Sequence, residues 1–492
     1  MKKDIVLEAI RGGAALVVVV WHVCVGFFPY SLNGWWQGSP LNLFMNGQSA
    51  VQLFFVLSGY VLTRRYFESG NHRILLKGAV KRWPRLVGPV LLVVLASYVL
   101  FKLDLYQFEQ AGAAAGSPSL IKFLSAYQTK PEIHLWGALL QGSFFTFFRT
   151  EYFYDTPLWT MHPEIVGSFI AFGFAPILFE ARKLSLHLTI GLVAMGAVLA
   201  AHDNYAAFPI GVGLAALVPR SAVISNKIAY PALLMALYFL GCPHSSNNEL
   251  GTVYHPALMA NADVMNSIGA AILIVVSETF YPIRRVFSGR ISQFLGDLSF
   301  PIYLVHVLII CSIGSAIYLR VGAVPAALAV FAFSILASLP LMAFNKWWVA
   351  QVNAATMRIL GEPQLAHAES PLWSVEYSGP QSFLARLATV TIGACITASS
   401  AAPIAALTTT EGGRGRASMA SISRRPATST RPSVDYSLPT FPSGGGSSKS
   451  GSPSAPPIFP FLAPHRADKA RGGGGGGLGG VGGGGFGGRD ID

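Results

Sequence analysis

Residues 7–28 read LEAIRGGAALVVVVWHVCVGFF. A helix crosses a bilayer with about 20 predominantly apolar residues, and this run is long enough, yet it holds Glu8, Arg11 and His22. At about 100° per residue, Arg11 and His22 fall within about 20° of each other on a helical wheel, with Glu8 about 40° from His22. The ionisable side chains of the run therefore share one face. Hydrocarbon penalises such groups, so inside a spanning helix they turn towards a bundle interior or a water-filled cavity. The stretch predicts an all-α, polytopic membrane bundle whose first helix carries a functional face.

Composition points the same way. The chain has 492 residues, 52% hydrophobic and 12% charged, with a mean hydropathy of +0.49, too apolar for an ordinary soluble protein. Its net charge of +12 would suit nucleic acid. The basic residues, however, fall mainly between apolar runs and in the C-terminal region, and aromatics follow the apolar runs, so the expected partner is the lipid bilayer and no nucleic acid. The Met1-Lys2-Lys3 start leads into a run too long for a secretory signal, with an internal arginine and no small-x-small cleavage site, so a retained first span is expected. The four cysteines form no CxxC pair, and neither a metal site nor a disulfide framework is expected.

Counting apolar runs gives about ten transmembrane helices, near residues 5–29, 49–66, 84–102, 158–180, 186–201, 205–219, 228–241, 262–281, 295–319 and 324–347. With a cytosolic N-terminus, one side receives Arg64, Arg65, Arg73, Lys77, Lys81, Arg82, Arg182, Lys183, Arg220, Lys227, Arg284, Arg285 and Arg290, and the other chiefly Lys122, Lys130, Arg149 and Arg320. This asymmetry and the even span number predict cytosolic termini. The long outer connection 103–157 contains LWGALLQGSFFTFF, read as an interfacial or re-entrant segment. Residues 1–350 form the membrane domain, 351–410 a linker or weakly apolar segment, and 411–492, rich in Gly, Ser, Pro and Arg, a disordered tail.

Several polar groups inside the runs are candidates for chemistry. Ser58-Gly59 interrupts VQLFFVLSGYVLTRRYF, either as a close helix contact or as part of a site with Arg64 and Arg65 at its cytosolic end. KRWPRLVGP (81–89) places Arg82 and Arg85 around Pro84. Proline suits a helix's first turn, so a helix is expected to begin near Pro84, with both arginines beside an anion-favouring N-terminus or against lipid headgroups. In DTPLWTMHPEIVGSF, Glu164 is preferred over His162 as a functional group and requires a cavity or a partner such as Arg11. In LGDLSFPIYLVHVLII, Asp297 reads as a helix cap. His306 lies deeper, as an interhelical hydrogen-bonder or a functional group.

Together, LEAIRGGAALVVVVWH (7–22), FFVLSGYVL (54–62), RWPRLVGP (82–89), LWTMHPEIVGS (158–168) and LGDLSFPIYLVH (295–306) resemble, in order, the motifs of the integral-membrane acyltransferase 3 family, specifically its fungal-like members. The resemblance implies a ten-helix bundle that moves an acyl group, commonly acetyl, from acyl-coenzyme A to a hydroxyl acceptor. It implies that His22 is the catalytic histidine, that Arg11 is the arginine of the first motif, and that Arg82 and Arg85 are the RxxR pair associated with the acyl donor. Glu8 stands where many members have Asp, and the LWTMHPE segment has one acid where bacterial members often have two.

For such a reaction His22 is expected to act as general base or transient acyl carrier, with Arg11, Glu8 and Glu164 in supporting catalytic roles. The acyl-coenzyme A co-substrate is expected on Arg82, Arg85, Arg64, Arg65 and Ser58. If the first helix is unbroken, Arg11 and Glu8 lie about 16 and 21 Å from His22 along its axis, so an acid adjacent to the histidine requires a break at Gly12-Gly13 or a different partner. The other reading of the same charges is a transporter or proton-coupled channel.

Overall fold

A backbone inside hydrocarbon must satisfy its hydrogen bonds within its own segment, which leaves helices or closed barrels, and the chain uses helices. The computed structural model describes residues 4–29, 35–124, 133–201, 205–219, 222–244 and 252–361, and no strand occurs among them. The principal helices are α1 (Ile5–Phe27), α2 (Gly47–Ser69), α3 (Arg73–Lys102), α4 (Met161–Leu184), α5 (Leu186–Ala200), α6 (Ala207–Leu217), α7 (Asn226–Leu240), α8 (Ala262–Thr279), α9 (Arg290–Ile309) and α10 (Ala323–Leu360). A π-helical turn, Ile310–Gly314, continues α9 into a short helix, Ser315–Val321.

Each of the ten expected stretches thus holds a helix. Six segments are long and apolar enough to cross a membrane: α1, α3, Thr156–Leu184, α8, Arg290–Val321 and α10. Helices α5, α6 and α7 are shorter, at 15, 11 and 15 residues, and α2 is long but interrupted by Gln48, Gln52, Ser58, Arg64 and Arg65. The protein is therefore a largely helical membrane protein with six candidate spans among its described residues. Helix α10 runs past residue 350 to Leu360. The rest of the expected linker, and the expected tail at 411–492, lie outside the described residues.

Glycines set the closest helix approaches. A Cβ on Gly12 of α1 would lie 2.7 Å from the backbone and Cβ of Leu295 on α9, and one on Gly296 would strike Glu8. On α2, a Cβ at Gly59 would lie 2.5 Å from the Phe208 carbonyl oxygen and 3.2 Å from Gly211 of α6. Small residues let helix backbones approach closely in a bilayer, where hydrophobicity cannot drive helices together. Gly59 is therefore a close helix contact with α6, and Ser58 turns to Glu164.

Helix α1 is continuous through Gly12-Gly13, with Gly12 held against α9, so of the two alternatives for His22 the break is removed. Two expectations about helix ends are corrected. Helix α3 begins at Arg73 and carries Pro84 and Pro89 internally. Packing of its first turns, with Leu75 and Lys77 buried and Gly78 facing Phe172, outweighs the proline signal, and Trp348 Nε1 donates to the Pro84 carbonyl at 2.7 Å. Arg82 and Arg85 are thus well inside a helix and gain nothing from a helix N-terminus. Helix α9 likewise begins at Arg290, so Asp297 is no cap. It pairs instead with Lys346 of α10 at 2.7 Å.

The LWGALLQGSFFTFF stretch folds as a short helix, a π-helical turn at Gln141–Phe145 and one further helical turn. It lies along α3: a Cβ on Gly142 would lie 2.9 Å from Leu91 and 3.2 Å from Val94, and the Ser143 carbonyl accepts from Trp83 Nε1 at 3.1 Å. The segment therefore follows α3 down to the level of Trp83. Ser97, nearer the C-terminal end of α3, donates to the Tyr154 carbonyl at 2.6 Å, so the chain has turned back along α3 by that point.

The two neighbouring glycines of α1 should respond oppositely to one substitution. Nothing lies within 4 Å of a Cβ on Gly13. Gly12→Leu is expected to destabilise the detergent-purified protein by about 1–3 kcal/mol through overpacking, whereas Gly13→Leu should stay within about 0.5 kcal/mol of the parent. Thermal unfolding of both variants checks this.

Candidate active site

The polar face of α1 meets two separate groups of side chains. Near its N-terminal end, Arg11 Nη1 pairs with Glu8 Oε1 of the same helix at 3.1 Å. Across from them, Arg82 of α3 forms an ion pair and hydrogen bond with Glu164 of α4. Arg82 Nε also donates to Ser168 Oγ at 2.7 Å, and Ser58 Oγ of α2 donates to Glu164 Oε1 at 2.5 Å. Three helices are thus tied at one carboxylate. Glu164, in the first turn of α4, meets Ser58 at the middle of α2, so α4 begins inside the bundle. The partner of Glu164 is Arg82 rather than Arg11.

Arg85, one turn beyond Arg82, is used differently. It is exposed, and no hydrogen bond or ion pair ties it to any described residue. It shares the electrostatic neighbourhood of Arg82, Arg11, Glu8 and Glu164. Lys81 similarly lies in the field of Arg85, Arg65 and Lys77. A row of cations therefore leads from the α3 N-terminal end inwards to Arg85 and Arg11. Arg82 is paired with Glu164 and Arg11 with Glu8, whereas Arg85 has no hydrogen bond or ion pair among the described residues.

Arg64 of α2 is occupied. It pairs with Glu278 of α8 at 2.6 Å and lies 3.6 Å from both Asp4 and Glu68. Its guanidinium stands 4.9 Å from the Tyr60 ring centroid, and the Tyr60 hydroxyl donates to Glu278. These bonds join the α1 N-terminus to α2 and α8. Glu278 went unremarked in the sequence, although a carboxylate closing an apolar run was the available signal. Arg65 is exposed beside it.

His22 lies at the far end of the same α1 face, and the unbroken helix keeps it about 16 Å from Arg11 along the axis. Its Nδ1 is 2.9 Å from the Val18 carbonyl and 3.2 Å from Nε2 of His306 on α9. The two rings meet edge to face with centroids 4.9 Å apart, and Phe123 presents a second edge-to-face contact at 5.5 Å. His306 is wholly buried, whereas His22 is part-exposed. His22 Nε2 has no hydrogen-bond partner among the described residues. The different partner required by an unbroken α1 is therefore a second histidine, and spacing could not have revealed it because the two residues are 284 positions apart.

The α4 start is anchored to the same region. Tyr303, one turn before His306, donates to the Pro157 carbonyl at 2.9 Å and its hydroxyl lies 2.8 Å from Thr160 Oγ1. His162 Nδ1 donates to the Phe147 carbonyl at 2.8 Å. Among the described residues no group of three His, Cys, Asp or Glu side chains is placed to hold a metal ion.

All five motif segments converge on these two polar groups, and a family profile described as an acyltransferase domain matches residues 4–343. The chain belongs to the acyltransferase 3 family. That match spans every side chain of both groups and all ten principal helices except the last turns of α10. No curated protein and no solved structure matches the chain.

The Arg82–Glu164 pair of this acyltransferase is nearly buried, with side-chain exposures of 8% and 14%. Breaking a buried pair leaves an uncompensated charge and costs about 3–5 kcal/mol. Arg82→Ala is expected to lose stability on that scale, and Arg82→Ala with Glu164→Ala to recover part of it. A double-mutant cycle on thermal or denaturant unfolding measures the coupling.

Proposed function

We propose that this acyltransferase takes its acyl group, acetyl above all, from acyl-coenzyme A and delivers it to a hydroxyl of a carbohydrate, lipid or small-molecule acceptor, with His22 as the base. The observation that carries the reading is a pair of polar groups along the α1 face. These are a part-exposed imidazole whose Nε2 has no hydrogen-bond partner among the described residues, and, near the other end of α1, Arg85 of α3, likewise without a hydrogen bond or ion pair among them, with Lys77, Lys81 and Arg65 in the same basic row. The fungal-like motifs, ten crossings and cytosolic termini belong to the same reading.

The coenzyme A phosphates would meet the basic row from the cytosolic side, Arg85 and Arg65 first. Arg64 and Arg82 act behind them by holding the helices that present the row, and Ser58 keeps Glu164 on Arg82. Arg11 completes the inner end of the row, with Glu8 setting its direction. At about 16 Å from His22, Arg11 serves the donor rather than the reacting carbonyl. The pantetheine arm extends along the polar α1 face and places the thioester at His22.

The chemistry then needs one proton movement in each direction. His22 Nε2 removes the acceptor's hydroxyl proton as its oxygen attacks the thioester carbonyl carbon. The tetrahedral oxyanion collapses by breaking the carbon–sulfur bond. The departing thiolate takes the proton back from the His22 imidazolium, giving the ester and free coenzyme A. Attack by His22 itself, followed by transfer from an acyl-imidazole, uses the same free Nε2.

Purified protein given radiolabelled acetyl-coenzyme A and a panel of sugars, sterols and small alcohols should label an acceptor. His22→Ala is expected to lower transfer by at least about 100-fold. Arg85→Ala should raise KM for acetyl-coenzyme A more than it lowers kcat, the mark of lost ground-state binding. Unchanged transfer by His22→Ala would remove the assignment. Because His22 lies at the opposite end of α1 from the basic row, the acceptor is expected on the face opposite the donor, and labelling confined to acceptors on the donor's side of sealed vesicles would remove that placement.

A further inference from the structure

The proposed role of His22 leaves His306 unexplained, although it is the only side chain with which the His22 ring forms a hydrogen bond among the described residues. His306 Nδ1 lies 2.7 Å from the Tyr303 carbonyl and 3.1 Å from the Ile302 carbonyl. Carbonyl oxygens only accept, so this nitrogen carries a hydrogen. In a neutral imidazole the other nitrogen then holds the lone pair. That nitrogen, His306 Nε2, is the one 3.2 Å from His22 Nδ1.

The same accounting fixes His22. Its Nδ1 faces two acceptors, the Val18 carbonyl at 2.9 Å and His306 Nε2, so Nδ1 is protonated and shares its hydrogen between them. The lone pair of His22 is left on Nε2, the atom without a partner. The chain of donors runs in one direction, from His22 Nδ1–H to His306 Nε2, and from His306 Nδ1–H to the α9 backbone.

We propose that His306 is a positioning residue for His22: its Nε2 holds the imidazole in the Nδ1–H tautomer with Nε2 turned to the reacting group, and supports the positive charge when His22 takes a proton. The Val18 carbonyl alone selects the tautomer, but it belongs to the His22 helix and leaves the ring free to turn about its side-chain bonds. A second acceptor on α9 fixes the rotation. The rigidity of that acceptor comes from the packing around it. Gly12 seats α1 on Leu295, and Tyr303 ties α9 to Pro157 and Thr160. One turn after His306, the π-helical turn exposes the Cys311 carbonyl, which accepts from the Gln107 backbone N–H at 3.0 Å.

This role rests on the base assignment of His22, and its test uses two readouts so that the failure of each is distinguishable. The variants are His306→Leu, which fills similar volume without an acceptor, and His306→Gln, whose amide oxygen can accept from His22 Nδ1–H. The first readout needs no substrate. Diethyl pyrocarbonate attacks neutral imidazole nitrogen, and mass spectrometry of the intact purified protein should find His22 modified in the parent and His306 protected. Modification of His22 should slow in His306→Leu and recover in His306→Gln.

The second readout is transfer from radiolabelled acetyl-coenzyme A. His306→Leu should lower kcat by at least about tenfold, within the range of a weakened general base, with KM for the donor unchanged, and His306→Gln should restore most of it. Parent-like kcat and His22 modification in His306→Leu would overturn the positioning role while leaving the base assignment intact. Full transfer by His22→Ala would overturn the base assignment, and the modification readout would still decide whether His306 orients the ring. Equal loss in the Leu and Gln variants, with both proteins monodisperse in detergent, would make His306 a packing residue and also overturn the proposal.

Discussion

A carboxylate and a guanidinium taken out of water are each costly, and together they are tolerated only with good geometry and further hydrogen bonds. The Arg82–Glu164 pair meets that condition by drawing on three helices. Arg82 comes from α3, Glu164 and Ser168 from α4, and Ser58 from α2. Because Glu164 stands in the first turn of α4, satisfying it inside the bundle forces α4 to begin at the depth of the α2 midpoint. The connection before it must then dip into the bundle, which it does along α3. The position of one buried acid therefore shapes that end of the fold.

That commitment also decides what the neighbouring cations can do. Arg82 and Arg85 are three residues apart and look equivalent as a motif, yet burial divides them. Arg82 is bound into the scaffold, while Arg85 is exposed and has no hydrogen bond or ion pair among the described residues. Arg64 is likewise held by Glu278, with Arg65 exposed beside it. The two ion pairs so formed fasten α3 to α4 and α2 to α8.

The sequence disclosed the helical class, the polar face of α1 and the segments that converge, because all three depend on local pattern. The 3.6-residue period put Glu8, Arg11 and His22 on one face, and the apolar runs located a helix in each of ten places. Helix ends were less legible. Pro84 and the Asp297–Ser299 cluster are strong local signals, but α3 and α9 extend through both because tertiary packing outweighs them. Partner identity was not legible: the sequence suggests Arg11 as a partner for Glu164, yet Arg11 pairs with Glu8 three residues away. The pairs Arg82–Glu164, Arg64–Glu278 and His22–His306 join distant segments, and no single-chain spacing encodes them.

The choice of a histidine rather than an acid behind His22 has a physical consequence. A buried carboxylate would hold an imidazolium in a tight ion pair, and in a medium of low dielectric that attraction is large. For the base role proposed for His22, a carboxylate there would favour the protonated ring over the neutral one. Without any partner, the ring would have less support for a positive charge. A neutral imidazole lies between these extremes: it accepts a hydrogen bond, adds no charge of its own, and passes polarisation on to the Ile302 and Tyr303 carbonyls through its own Nδ1–H. For the role proposed for His22, a chain of two neutral rings ending on a helix backbone supplies a hydrogen-bond acceptor without a second charge.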